Sequence, residues 1–284
     1  MTTRNLIEAE ALASLLGDAR LRVFDCRFDL ARPAYGRTAY NDEHLPGAIF
    51  ADLNTDLSAP ATATSGRHPL PAPEEFAARL RAWGVNADSR VVAYDDSNGA
   101  YAARLWWMLR WVGHDDVTVL DGGMRRWLQL GLPLTEDVPA QAPGNFIARL
   151  RPGMAVAAAD VLSASTNPAA RILDARAPER YRGEVEPIDK VAGHVPGARN
   201  HPFGMSLDSQ GRFLPPQVLR DTLTASLDGV APESAIVYCG SGVTACHVLL
   251  ALEHAGLAGA RLYPGSWSEW SRDPSHPVAT GATP

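Results

Sequence analysis

The stretch AIVYCGSGVTACHVLLALEHAG, residues 235–256, decides the fold. It opens with a short apolar run, Ala235 to Tyr238, whose length and β-branched content predict a buried strand. Cys239 follows, then Gly240-Ser241-Gly242, and a helical pattern runs from Val243 to about His254. Glycines on a strand-to-helix loop let successive backbone N–H groups, with those of the first helical turn, point at one spot and stabilise an anion there. A lone cysteine is ordinarily a small, buried, inert hydrophobe. At the rim of such a cradle the natural anion is its thiolate, or a persulfide carried on it, because a thiol pKa of about 8.5 falls to roughly 3.5–7.5 beside helix N-termini and cations. The stretch predicts a nucleophile.

The same pattern occurs earlier in the chain. VVAYDDSNGAYAARLWWML (91–109) matches AIVYCGSGVTACHVLLALE (235–253) at an offset of 144 positions, Tyr94 aligning with Tyr238. LRVFDCR (21–27) matches RILDARA (171–177), Asp25 aligning with Asp174; EHLPGAIF (43–50) matches GHVPGARN (193–200); and LDGGMRRW (120–127) matches YPGSWSEW (263–270). Four matched blocks in one order predict two copies of one unit of about 130 residues. In the second copy, strands are expected near 171–173, 197–199, 235–238 and 260–262, and helices near 156–165, 215–226 and 244–255. That alternation predicts an α/β fold, each copy a parallel sheet flanked by helices, with ligands at the carboxyl ends of the strands, where Cys239 stands. The boundaries fall at 1–140 for the first domain, 141–155 for a linker in the breaker-rich stretch after Pro139, and 156–284 for the second domain. Asp95 takes the position of Cys239 in the first copy, and a carboxylate cannot do thiolate chemistry, so that copy is expected to be catalytically silent.

Composition narrows the function. The chain is 284 residues long, 46% hydrophobic and 20% charged, with a formal net charge of -6, which is ordinary globular material and argues against nucleic acid as the main partner. Its beginning, MTTRNLIEAEALASLL, reaches Glu8 and Glu10 before any long apolar run, so it reads as an amphipathic first helix rather than a secretory signal. The most apolar patch, LWWMLRWVG (105–113), is short and interrupted by Arg110, so no membrane span is expected. Cys26, Cys239 and Cys246 give neither a paired framework nor a Cys-x-x-Cys spacing, so no metal or other cofactor is expected and a reducing cytoplasm is the default location.

With these motifs in hand, the chain resembles the tandem-domain rhodanese-type sulfurtransferases over nearly its whole length, and its loop Cys239-Gly240-Ser241-Gly242-Val243-Thr244 is similar to that of the 3-mercaptopyruvate sulfurtransferases. Thiosulfate sulfurtransferases carry basic residues where Gly240 and Ser241 stand. The resemblance implies two tandem rhodanese-like domains and a two-step exchange, in which Cys239 takes a sulfur from a small-molecule donor as a persulfide and a thiol or cyanide then removes it. Thioredoxin is one candidate thiol acceptor. The resemblance further implies that Gly240, Gly242, Val243 and Thr244 hold the substrate sulfur, that Ser241 and His68 form a proton relay with the site between the domains, and that Arg182 binds the anionic end of the donor through its planar fork. Arg104, on the helix AARLWWML, is a further candidate for the same cleft. Two positions depart from the family pattern. The relay acid falls at or near Asn54, with Asp52 the nearest carboxylate, and the second substrate arginine is replaced by Ile188, leaving Lys190 nearby.

Competing readings carry less. A cysteine phosphatase needs an arginine six positions after the cysteine, where Ala245 stands, and a Walker loop needs a lysine after its glycines. Thiosulfate as donor, or a carrier that exchanges a single persulfide without turnover, are the remaining alternatives. His44 and His194 precede Pro-Gly turns and are expected to pack those turns; Cys246 is expected to be a packed small residue.

Overall fold

Short runs of β-branched and aromatic residues bounded by Gly, Pro and Asp form buried strands, and apolar 3.6-residue periods between them form the covering helices. The structure, a computed structural model, describes residues 5–283, and the chain in it divides into two units. The first comprises the chain up to Ala59, Leu70–Arg151 and Gln210–Arg212. Its elements are β1 (Leu6–Ile7), α1 (Ala9–Leu15), β2 (Leu21–Asp25), α2 (Tyr35–Asp42), β3 (Ala48–Phe50), α3 (Pro73–Ala82), β4 (Arg90–Tyr94), α4 (Ala102–Trp111), β5 (Val117–Leu120) and α5 (Gly123–Gln129). The sheet order is β1-β5-β4-β2-β3, every pair parallel.

The second unit comprises Pro60–Pro69, Pro152–Ser209 and the chain from Phe213 onward. It contains α6 (Ala158–Ser165), β6 (Arg171–Asp174), α7 (Pro178–Tyr181), β7 (Ala198–Asn200), α8 (Pro216–Leu227), β8 (Ala235–Tyr238), α9 (Thr244–His254), β9 (Arg261–Leu262) and α10 (Ser266–Trp270). The order β7-β6-β8-β9 is again all parallel, and a single parallel bridge from Ala155 to Leu262 stands where β1 pairs with β5 in the first unit. In each unit the chain leaves the central strand for one edge and returns on its other side. The carboxyl ends of β2 and β4, and of β6 and β8, therefore flank a switch point, where open α/β sheets bind ligands.

The repeat extends to side chains. Asp25 pairs with Arg27, and Asp174 with Arg176, as buried ion pairs with shortest contacts of 2.6 Å. Each tyrosine at the neighbouring strand end receives a turn N–H on its hydroxyl: Leu45 to Tyr94 at 3.3 Å, Val195 to Tyr238 at 3.1 Å. His44 and His194 are fully buried, stack on Tyr40 and Tyr181, and bond through Nδ1 to those tyrosines' carbonyls, so both pack turns as expected. Replacing such a buried pair by one partner alone would strand a charge, which costs about 3–5 kcal/mol.

Three details differ from the sequence reading. The first helix begins at Ala9, because Leu6 and Ile7 are drawn into register with Val119 and Leu120 as an edge strand; residues 1–4 of that reading lie outside the described residues. The breaker-rich connection is anchored along the first unit rather than free: Gly144 N–H donates to Arg81 O, Phe146 to Val85, Arg149 to Val112 and Arg151 to Trp111. And the proline-bounded stretch Pro60–Pro69, which follows the first copy's β3 in sequence, makes its contacts with the second unit. No described helix is long and apolar enough to cross a membrane.

Candidate active site

At the end of β8 the loop turns through Gly242, whose φ of +77° and close approach to Pro264 leave no room for a side chain: a Cβ there would sit 2.3 Å from the Pro264 carbonyl oxygen. This turn points the Gly242 N–H at the Cys239 sulfur, 3.2 Å away. The following turn clamps the loop from its other side. Cys239 N–H donates to Ser266 Oγ at 3.1 Å, Trp267 N–H to Cys239 O at 3.0 Å, and Ser268 N–H to Gly240 O at 2.9 Å. Cys239 is 1% exposed. Val243 is buried at the N-cap of α9 and Thr244 is its first residue, half-buried. The Cys246 thiol, fully buried within α9, donates to Gly242 O at 3.4 Å, on the residue whose N–H serves the Cys239 sulfur.

Ser241 Oγ lies 2.8 Å from His68 Nδ1, both residues buried. The expected Ser-His contact is therefore made, and it is made inside the second unit, to which Pro60–Pro69 belongs. The same stretch brings Arg67, whose N–H donates to Ser268 Oγ at 3.1 Å. A Cβ on Gly240 would lie 3.0 Å from Arg67 Nη2 and 3.5 Å from Arg180 Nη1, so two guanidiniums stand over the residue that follows the cysteine. Arg180 is held by Glu186 at 2.7 Å, and Asp189 pairs with Arg67 and lies 3.5 Å from Arg180.

The other expected residues make the following contacts. Arg182 is turned to Glu184 in an exposed pair at 2.8 Å, which raises the guanidinium pKa through that hydrogen bond. Arg104 is wholly buried in the first unit and donates to Leu57 O at 3.2 Å. Asp52 takes the N–H groups of Asn54 and Thr55 on its carboxylate, and Ile188 is exposed. Arg67, Arg180 and Asp189 are the charged residues beside the loop that sequence reasoning missed. The one available signal was the loss of the second substrate arginine at Ile188, which left a charge to be supplied from another segment.

The first unit serves as an internal control. Asp95 is fully buried at the end of β4, and its carboxylate accepts four N–H groups of its own loop, from Ser97, Gly99, Tyr101 and Ala102, each at 2.8 Å. At the repeat offset these correspond to Ser241, Val243, Ala245 and Cys246. Burial pushes the Asp95 carboxyl up and the four N–H groups pull it back. Beside it, burial first, and then Asp95, Asp25 and Asp56, push the Cys26 thiol well up, the opposite of what a nucleophile needs. No group of three or more His, Cys, Asp or Glu among the described residues is arranged to hold a metal.

Comparison with known proteins places these features in company. The pattern described as "Rhodanese-like domain" matches residues 8–130 and again 157–273. A Pseudomonas aeruginosa protein named "Probable 3-mercaptopyruvate sulfurtransferase" is 50% identical over 283 residues, covering 99% of this chain and 100% of the relative. A Mycobacterium tuberculosis protein bearing a thiosulfate sulfurtransferase name, SseB, is 42% identical over 281 residues, covering 97% of each. The crystal structure of Escherichia coli SseA, described as a 3-mercaptopyruvate sulfotransferase of rhodanese fold, is 36% identical, covers 94% of this chain and 100% of its own, and superposes with a TM-score of 0.81.

Proposed function

Because the chain belongs to the rhodanese-like family, we propose that it moves the sulfur of 3-mercaptopyruvate through a persulfide on Cys239 to a thiol, a protein thiol such as that of thioredoxin included, or to cyanide. The observation that carries this reading is the Gly242 N–H aimed at the Cys239 sulfur with the Ser241–His68 pair alongside. In the first step the Cys239 thiolate attacks the donor sulfur, the donor's carbon–sulfur bond breaks, and its electron pair leaves on carbon as the enolate of pyruvate. A proton delivered by Ser241, replenished through His68, quenches it. The outer persulfide sulfur is then held by N–H groups of the loop and first helical turn between Ser241 and Cys246, a role supported by the four N–H groups that the equivalent stretch turns on Asp95. In the second step an acceptor thiolate or cyanide takes that sulfur, the S–S bond breaks and the Cys239 thiolate is regenerated.

The donor carboxylate falls to the guanidiniums over Gly240, Arg180 and Arg67, while Arg182 is engaged by Glu184. The first unit, residues 1–140 in the sequence division, acts as a silent scaffold to the catalytic 156–284. A reducing, cytoplasmic setting suits three buried thiols with no disulfide among them. Thiosulfate is the second reading, favoured by the presence of two cations at the loop. The ratio of kcat/KM for the two donors decides between them: a higher value for 3-mercaptopyruvate is expected, and a higher value for thiosulfate at neutral pH would reverse the donor assignment.

A further inference from the structure

Two guanidiniums over Gly240 would ordinarily recruit a dianion, yet the wall that carries them is charge-balanced. Asp189 pairs with Arg67, and Glu186 accepts from Arg180 Nη2 and Nε at 2.7 and 3.2 Å while also contacting Arg176 at 3.3 Å. Glu186 is committed in other ways too, since its Oε1 receives the N–H groups of Ile188 and Asp189, both at 3.1 Å, and so shapes the turn. Asp189 is the carboxylate with capacity to spare. Its Oδ2 is buried without a hydrogen-bond partner, 3.5 Å from Arg180, and the Nε of Arg67 is likewise buried and unpartnered. The two residues also line, with Ile188, Lys190 and Arg272, a cavity of about 690 Å³.

We propose that Asp189 sets donor specificity: its carboxylate beside Arg67 and Arg180 offsets their charge at the loop, which a donor with one negative charge tolerates better than a dianion does. The proposal rests on the sulfurtransferase reading above and names a residue that reading does not use. An incoming monocarboxylate is held by the Arg67 and Arg180 Nη groups over Gly240 while Asp189 remains in place. A dianion such as thiosulfate brings a second charge against the Asp189 carboxylate, and like charges at this range in a partly buried site repel strongly.

The test is the ratio of kcat/KM for thiosulfate to that for 3-mercaptopyruvate in Asp189→Asn, Asp189→Glu and wild type. Asp189→Asn is expected to raise the ratio at least tenfold, chiefly through the KM for thiosulfate, whereas Asp189→Glu, which keeps the charge, stays within about threefold of wild type. Lys190→Glu, an exposed change on the same cavity wall, is expected to lower the ratio, and it reads the same field should Asp189→Asn fold poorly. An equilibrium readout runs beside the kinetics: inorganic sulfate, a dianion that cannot donate sulfur, should protect Cys239 from iodoacetamide at tenfold lower concentration in Asp189→Asn. A ratio unmoved in both Asp189→Asn and Lys190→Glu, or an equal shift in Asp189→Glu, overturns the proposal while leaving sulfur transfer standing. A wild-type protein that acquires sulfur from neither donor overturns both.

Discussion

The loops that follow β4 and β8 share a left-handed third position after the strand-end residue, and in both the next turn donates an N–H to that residue's carbonyl, Met124 to Asp95 and Trp267 to Cys239, but they are filled differently. In the first, Asn98 holds φ at +60° and the Asp95 carboxylate spreads over four N–H groups. In the second, Gly242 holds φ at +77° and the Cys239 sulfur takes one N–H, from Gly242 itself. A carboxylate reaches further into the ring than a thiol does and closes it with its two oxygens. The comparison teaches that the same ring of N–H groups is filled by two carboxylate oxygens in one unit and meets a single sulfur with one N–H in the other, which is the arrangement that the proposed persulfide would use.

That comparison breaks most severely at the turn residue. Gly242→Ala must relieve a contact of 2.3 Å with backbone at a positive φ, and left-handed backbone alone costs an L-residue roughly 1–2 kcal/mol. The expected result is a loss of at least about a hundredfold in kcat/KM, since ~1.4 kcal/mol in barrier is tenfold in rate; steady-state kinetics with either donor checks it. Next in size is the pair of arginines in and after α7. Arg180→Lys keeps the charge over Gly240 but loses the fork, and is expected to lower kcat/KM by roughly ten- to a hundredfold, whereas Arg182→Lys, which disturbs only the exposed pair with Glu184, should leave it within twofold. Equal losses in both would mean that the sequence assignment to Arg182 describes the working enzyme better than the geometry does. The smallest effect is in the silent loop, where Asn98→Ala should cost about 1 kcal/mol of stability, read by denaturant unfolding, with no change in transfer rate.

The repeat, the parallel sheets and the reactive loop were legible because each is local: a run of apolar residues, a turn, a fixed offset. The strands expected near 171–173 and 235–238 appear at Arg171–Asp174 and Ala235–Tyr238, and the helix expected near 215–226 at Pro216–Leu227. The side chains that complete the site were not local. Arg180 and Arg182 are two positions apart around a four-residue helix, and nothing in the string ERYRGEVEP states which one Glu184 and Glu186 will each capture. Arg67 escaped notice because a proline-bounded stretch after β3 reads as a loop of the first copy, whereas its tertiary contacts lie with the second unit. The silent copy was read as lacking a nucleophile; that its carboxylate would fill the receptor depends on Asp95 being buried and facing inward, which only the fold decides.

The central claim is that sulfur is carried at the open ring and nowhere else. Intact-protein mass after exposure to 3-mercaptopyruvate tests it in three forms of the chain: wild type, Cys239→Ser, and Asp95→Cys combined with Cys239→Ser. One added sulfur on the wild type and none on either variant is the predicted result, because a thiol placed at position 95 sits on a loop without the Gly-Ser-Gly turn. Sulfur retained by Cys239→Ser, or acquired by the combined variant to the extent seen in wild type, would contradict the account.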